Sequence, residues 1–527
     1  MNAEVSRAPN PILTWPLHPF LFAVASVLAL MASNLNQVSP MHVVGALLGA
    51  LVFAAAVYAL AFMIWRDGAR AGLIASIWVV GSLFYAAVFG ALNDLVEGGF
   101  EMVRSLPLAL AALVVLTFVA ARLPHSVVRI LAVILNCLAA VMVATPGLQA
   151  AAFEWRNGAS RAIYDPYQAA EALPPTDPAQ QQGDRPPDIY HFVFDRYASP
   201  TTLAEYYGYD DSPLVAFLED RGFRVLRDAH SNYHRTAHSL ASTFYMDYLD
   251  LFDGKPDLAG SSNWQPVLSM LADHRAGRFL KARGYRFIQF GSWWTGTFHN
   301  RLADENRPHG LNEFDMLYLR RTVLRPLLHL LPDAPETSLL DWDNAQCYRV
   351  KAQIEEIKAI GEQDQPVYVF AHFLVPHGPY NFSPEGECLT MEQSGRRGLE
   401  KGYLEQVEYA GRIIRELVPA LQADRQNPAA IIIQSDEGPF PAREPNVAWQ
   451  DQPDPILRIK TGILSAYSIP GADEIDEHLT PVNTYRILFN ALFGTKFERL
   501  PDRTFVVPDD DHLYEFHDVT GRVRALD

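Results

Sequence analysis

Cysteine is scarce, with three in 527 residues, which excludes a disulfide scaffold and any cysteine-rich zinc module. Lysine is absent from the first 150 residues, which hold only six arginines and five acidic residues and so net +1. The whole chain has 43 Lys+Arg against 60 Asp+Glu, a net −17, so residues 151–527 carry −18. A domain that acidic repels nucleic acid, and no DNA- or RNA-binding role is expected. There is no internal repeat, Walker loop or GxGxxG fingerprint, which removes the nucleotide sites those motifs build. The long apolar runs have no ionisable residue at their middle, which argues against a transporter or proton relay.

What the first part does contain is apolar length. Residues 43–65 and 71–92 are uncharged runs of 23 and 22 residues. A helix needs roughly 20 such residues to cross the hydrocarbon core, so both read as spans. Residues 20–35, 106–121 and 130–145 are shorter candidates, for which a buried soluble helix or a cleaved signal peptide is the alternative. With a cytoplasmic N-terminus, Arg7, Arg66, Arg70, Arg122 and Arg129 fall inside, and Asp94, Glu97 and Glu101 outside with only Arg104. This satisfies the positive-inside rule for five spans and delivers residue 150 onward to the outside. The expectation is a multi-span α-helical membrane domain over residues 1–153.

Residues 154–187, rich in Pro, Gln and Asp, read as a linker, and residues 188–527 as the outside domain. There the pattern changes to short apolar runs at 189–194, 285–290, 367–370, 430–434 and 461–464. Helix signals separate them. Ser212-Pro213 opens one helix and Gly222 closes it, Thr480-Pro481 opens another, and residues 399–421 form a long amphipathic stretch. Continuous apolar strands alternating with helices predict an α/β domain, its mostly parallel sheet covered by helices on both faces. Ligands in such folds bind beyond the carboxyl ends of the strands.

Three clusters lie at those ends. Strand 189–194 runs into Asp195, and strand 430–434 into Ser435-Asp436-Glu437-Gly438; carboxylates at one sheet edge suit a divalent cation. The segment from Ser231 to Ser242 contains Asn232, Arg235, Thr236, His238 and Ser239 and leads into a helix. A hydroxyl at a helix N-terminus sits among free N–H groups that attract an oxyanion, or it merely caps the helix. Past strand 367–370 come His372 and His377, stiffened by Pro376 and Pro379, each a ligand or proton donor. Trp293, Trp294 and Tyr233 line a pocket or pack in the core.

The order Asp195, then Thr236-Ala237-His238-Ser239, then His372 and His377, then Asp436-Glu437-Gly438 resembles the alkaline phosphatase/sulfatase superfamily. It is most similar to the membrane-anchored branch of lipoteichoic acid synthases and phosphoethanolamine transferases. The resemblance covers residues 186–505. It implies an alkaline-phosphatase-like α/β domain behind about five spans, in a bacterial inner membrane, with the catalytic domain on the periplasmic or extracellular side. It implies Thr236 as nucleophile and one or two divalent ions (manganese, zinc, magnesium or calcium) held by Asp195, Thr236, Asp436 and Glu437. His377 or His372 would act in catalysis, and His238, Arg235 and Asn232 in substrate binding. Glu437 stands where the family pattern has histidine, which makes the site harder and more anionic. The formylglycine signature of many sulfatases requires an arginine where Ser239-Leu240-Ala241-Ser242-Thr243 ends in threonine, so that mechanism is not expected.

The reaction this implies moves a phospholipid headgroup, of phosphoglycerol or phosphoethanolamine type, from a membrane lipid donor to an envelope glycan or lipid acceptor. A phosphodiesterase or phosphatase using the same site is one alternative. A non-catalytic membrane scaffold or sensor, for which Glu437 argues, is another. Cys347 and Cys388 fall in the outside domain, where they pair or remain two separate thiols.

Overall fold

The computed structural model describes residues 15–94, 102–163, 185–328, 330, 345–423, 427–472 and 475–524, except positions 253, 256, 257 and 362. The chain folds as two units, one of residues 1–159 with 312–333, the other of residues 160–311 with 334–527. The expected linear division is therefore interrupted, because residues 312–333 leave the 188–527 domain and join the apolar helices. The expected linker at 154–187 is also shorter at its start. Its first residues continue the helix His125–Ile163, since no proline intervenes before Pro166; residues 164–184 lie outside the described residues.

Among the described residues of the first unit, Val44–Trp65, Leu106–Arg122 and His125–Ile163 belong to three helices long and apolar enough to cross a membrane, with a fourth if Gly68–Leu83 and Tyr85–Asn93 are one bent span. Five were expected. The candidate at 20–35 is the 15-residue helix His18–Ala32, about 22 Å long and short of a 30 Å core. The run at 71–92 is bent by 67°. At the bend, Val323 N–H donates to Ser82 O at 2.8 Å, and Ala86 N–H donates to Arg321 O at 3.0 Å. Residues 321–323 thus replace the i to i+4 bond that an unbroken helix would make between Ser82 and Ala86. The helix Glu313–Arg320 packs Phe314 and Tyr318 against Phe22, Val27, Leu30 and Ala46. Its Asp315 accepts from Ala46 N–H at 2.9 Å, satisfying an orphan donor in the first turn of Val44–Trp65.

The second unit is built on a seven-stranded sheet. Its strands are β1 (Ile189–Phe194), β2 (Arg224–Leu226), β3 (Arg286–Phe290), β4 (Glu305–Asn306), β5 (Val367–Phe373), β6 (Ala430–Gln434) and β7 (Ser465–Ser468), in the order β2-β7-β6-β1-β5-β3-β4. The run β6-β1-β5-β3-β4 is parallel, and β7 and β2 add antiparallel at one edge. Apolar residues alternate to both faces. Ile189, Val193, Phe370 and Ile432 join the core beneath the helices Thr236–Tyr245 and Thr484–Phe493. Tyr190, Phe192, Val369 and Ile433 pack on Val407, Ile414 and Leu417 of the helix Leu399–Gln422. The strand expected at 461–464 begins at Ser465 instead. Thr461 still belongs to the helix Asp454–Thr461, where its hydroxyl donates to Leu457 O at 2.8 Å. Cys347 and Cys388 form a disulfide.

Candidate active site

The three central strands each deliver one candidate metal-ligating side chain at the same edge. Asp195 N–H donates to Phe373 O at 2.9 Å, which carries the β1–β5 pairing one residue past β1. Val193 lies opposite His372, and Asp195, two residues beyond Val193, is on the same face by strand alternation. From β6 the chain passes through Ser435 to Asp436. Gly438 is required here because a Cβ at that position would come 2.1 Å from Ile459 O.

Ligand atoms of Asp195, His372 and Asp436 lie within 4.8 Å of one another, and all three side chains are buried. His372 Nε2 is 3.4 Å from Asp195 Oδ2. Asp195 Oδ1, both Asp436 carboxylate oxygens and His372 Nε2 have no hydrogen-bond partner. Buried polar atoms left without partners are costly, and here they converge on one point. Two carboxylates and one imidazole are a donor set for a borderline divalent cation such as zinc or manganese, so the residues present fit a metal. The other ring nitrogen of His372 is fixed by Thr297 Oγ1 at 2.7 Å, the kind of outer contact that orients a ligating imidazole.

Electrostatics divide the two acids. Burial opposes ionisation of Asp195, yet His377, His372 and Arg196 hold its carboxyl well below the usual carboxylate range. Asp436 is pushed up to about 7 by burial first, then by the charges of Asp195 and Glu437.

Thr236 begins the helix Thr236–Tyr245 and is half-buried. Its hydroxyl is close enough to Asp436 to favour the ionised carboxyl, although neither Asp436 oxygen has a hydrogen bond of normal geometry. His377 lies between the cis peptides Val375–Pro376 and Gly378–Pro379, with Nδ1 against Gly378 O. Burial lowers its pKa and Asp195 opposes that shift. Trp294 packs edge-on to His372 and Trp293 edge-on to His377, with centroids 6.1 and 6.3 Å apart.

The remaining expected site residues make other contacts. Glu437 is not in the three-residue cluster, although its charge acts on Asp436; its Oε1 lies 2.7 Å from Lys460 Nζ and 3.1 Å from Arg196 Nε. Asn232 spends its amide on Thr480 Oγ1 and Arg503 O, and its carbonyl oxygen accepts from Val482 N–H; it pins loops together. His238 is buried among Tyr233, Trp264, Tyr514 and Phe516, and burial lowers its pKa to about 3. Arg235 pairs with Asp510 at 2.6 Å. Tyr233 is core. Thr297, Arg196 and Lys460 escaped the sequence reading. Only Arg196, next to Asp195, had a positional signal.

Residues 202–456 match the family model described as Sulfatase. The chain carries a sulfatase-family domain. Members of this family and of the surrounding alkaline phosphatase superfamily are metal-dependent phosphoryl or sulfuryl transferases and hydrolases, and the sulfatase-family domain makes this chain an enzyme of that class. Solved structures similar to the chain include the C-terminal periplasmic domain of EcEptC from Escherichia coli in complex with zinc, at 13% identity and TM-score 0.40, covering 66% of this chain and 96% of that one. Another is a protein of the alkaline phosphatase superfamily from Vibrio parahaemolyticus, at 11% identity and TM-score 0.37, covering 66% and 81%. No curated protein matches the sequence.

Proposed function

We propose that this sulfatase-family protein is a transferase that moves a phospholipid headgroup, of phosphoglycerol or phosphoethanolamine type, to an envelope glycan or lipid through a phospho-threonine at Thr236. The observation that carries the reading is Thr236 itself, a hydroxyl at a helix N-terminus that interacts with Asp436, which clusters with Asp195 and His372. A divalent cation held by those three residues would lower the hydroxyl pKa and polarise the phosphate. His372 is then a ligand rather than a proton donor.

Thr236 Oγ1, its proton already released to solvent, attacks phosphorus as the oxyanion and forms an O–P bond, while the P–O bond to diacylglycerol breaks and its oxygen takes up a proton; Thr236 Oγ1 departs again as the oxyanion in the second step. His377, within electrostatic reach of Asp195, is the residue assigned to that proton. The acceptor hydroxyl then gives its proton back to His377 as it displaces Thr236. Helix N–H groups at residue 236 orient the phosphate oxygens. Arg196 and Lys460 add positive charge on the Glu437 side. The apolar helices keep the enzyme on the bilayer that holds the donor, a bacterial inner membrane with the second unit on its periplasmic or extracellular side.

Incubating the full chain with phosphatidylglycerol or phosphatidylethanolamine, with and without glycan acceptors, tests the reading. Transfer predicts diacylglycerol release that rises with acceptor and a headgroup-modified glycan. Release of equal rate without acceptor, with free phosphoglycerol or phosphoethanolamine as product, identifies a hydrolase instead.

A further inference from the structure

Residues 312–328 come from the sulfatase-like half of the sequence yet pack in the unit of apolar helices. Their depth there is set by backbone chemistry. Ser82 O and Ala86 N–H, within the apolar run 71–92, are satisfied by Val323 and Arg321. In hydrocarbon every backbone polar group needs a protein partner, so residues 321–323 sit at the level of that break. Tyr318 reaches further: its hydroxyl is 2.7 Å from Ser26 Oγ, six residues before the end of the helix His18–Ala32, about 9 Å along the helix axis. Asn312 Nδ2 donates to His42 O at 3.3 Å, at the N-terminal end of the Val44–Trp65 span.

Beyond this anchored part, Leu324, Leu327 and Leu330 are 42%, 42% and 61% exposed. Leu324 and Leu327, three apart in the helix Leu324–Leu328, lie on one side of it, and Leu330 follows the helix. Arg321 and Arg325 are exposed beside them. Three leucines facing water next to residues fixed at membrane depth would be an unfavourable surface. Apolar side chains with flanking arginines match the boundary between acyl chains and anionic headgroups.

We propose that residues 312–328, with Leu330, form a membrane clip: the helix Glu313–Arg320 is wedged between the spans, and the following turn lies in the lipid interface with Leu324, Leu327 and Leu330 among acyl chains and Arg321 and Arg325 at headgroup level. The clip rests on the membrane placement of the apolar helices and is independent of chemistry at Thr236.

The test uses the full chain in phosphatidylcholine/phosphatidylglycerol nanodiscs, with Cys137→Ser and the Cys347–Cys388 disulfide intact. An environment-sensitive fluorophore is placed by Leu324→Cys or Leu327→Cys, then challenged with lipid-attached doxyl quencher and with aqueous iodide. Leu399→Cys, at a site 81% exposed in the second unit, is the water reference. Val119→Cys, 50% exposed on the helix Leu106–Arg122, is the lipid reference. The clip predicts strong doxyl quenching at 324 and 327 and iodide quenching at least fivefold below that at 399. Iodide quenching equal to that at 399 overturns it. So does protection from both quenchers, which means that a second copy or another protein covers the leucines. Val119→Cys without doxyl quenching removes the membrane placement and the clip together; doxyl quenching at 119 but not at 324 or 327 removes the clip alone.

Discussion

Thr297 Oγ1 lies 2.7 Å from His372 Nδ1, which leaves Nε2 of the same ring as the nitrogen facing Asp195 and Asp436. Thr297 is itself fixed, its hydroxyl 2.9 Å from Ser292 Oγ and its carbonyl accepting from Gln289. Thr297→Val keeps the side-chain volume and removes the contact. Losing such an outer contact weakens metal affinity by about 10–100-fold. Titration of the metal-free protein with zinc or manganese measures this, and unchanged affinity would remove Thr297 from the site.

Metal affinity should depend on pH through Asp436. Its carboxyl holds a proton up to about pH 7 because burial, then Asp195 and Glu437, disfavour its charge. A cation must displace that proton, so affinity falls by up to about tenfold per unit as pH drops below 7. Calorimetry in buffers of different ionisation enthalpy should find more protons released at pH 6 than at pH 8. In the metal-free domain the sign is opposite. A carboxyl whose folded pKa is raised from 3.8 to about 7 contributes stability that is complete below the lower value and lost as pH rises through the upper one.

Glu437→Gln separates two accounts of that residue. Its Oε1 is held by Lys460 and Arg196, and Lys460, fully buried, is already lowered to about 8 by burial against the pull of Glu437. Removing the charge strands a buried cation, a loss of about 3–5 kcal/mol in stability, while bound metal stays at one equivalent per site. A fall in metal content to that of Asp436→Asn would instead make Glu437 a ligand.

The disulfide gives a stability prediction independent of the site. Cys347 and Cys388 are 41 residues apart in sequence, and closing a loop of that length is worth about 4 kcal/mol by the chain-entropy relation. Cys388→Ser should lower the denaturant midpoint accordingly, and dithiothreitol should have the same effect on the parent but none on the variant.

The strands and their acids were legible because they use short-range signals. β1 and β6 are continuous apolar runs that end in Asp195 and Ser435-Asp436, and a parallel sheet gathers such ends at one edge. The sequence order of Asp195, Thr236, His372 and Asp436 carried the family resemblance. Side-chain direction is what sequence could not supply. Asp436 and Glu437 are adjacent, yet one faces the cluster and the other faces Lys460, from a helix more than twenty residues on. Asn232 and His238 lie in the motif around Thr236 but point into loop contacts and an aromatic core. The bend was hidden for a related reason: the run at 71–92 is apolar throughout, and only residues 321–323, far away in sequence, reveal where it breaks.

The central claim is that Thr236 carries the transferred group. The direct measurement is peptide mapping by mass spectrometry of the full chain, acid-quenched after incubation with phosphatidylglycerol or phosphatidylethanolamine and metal. The account predicts a phosphoglycerol or phosphoethanolamine adduct on Thr236, absent from Thr236→Ala. Diacylglycerol release that continues in Thr236→Ala, with no adduct on Thr236 in the parent, would contradict it.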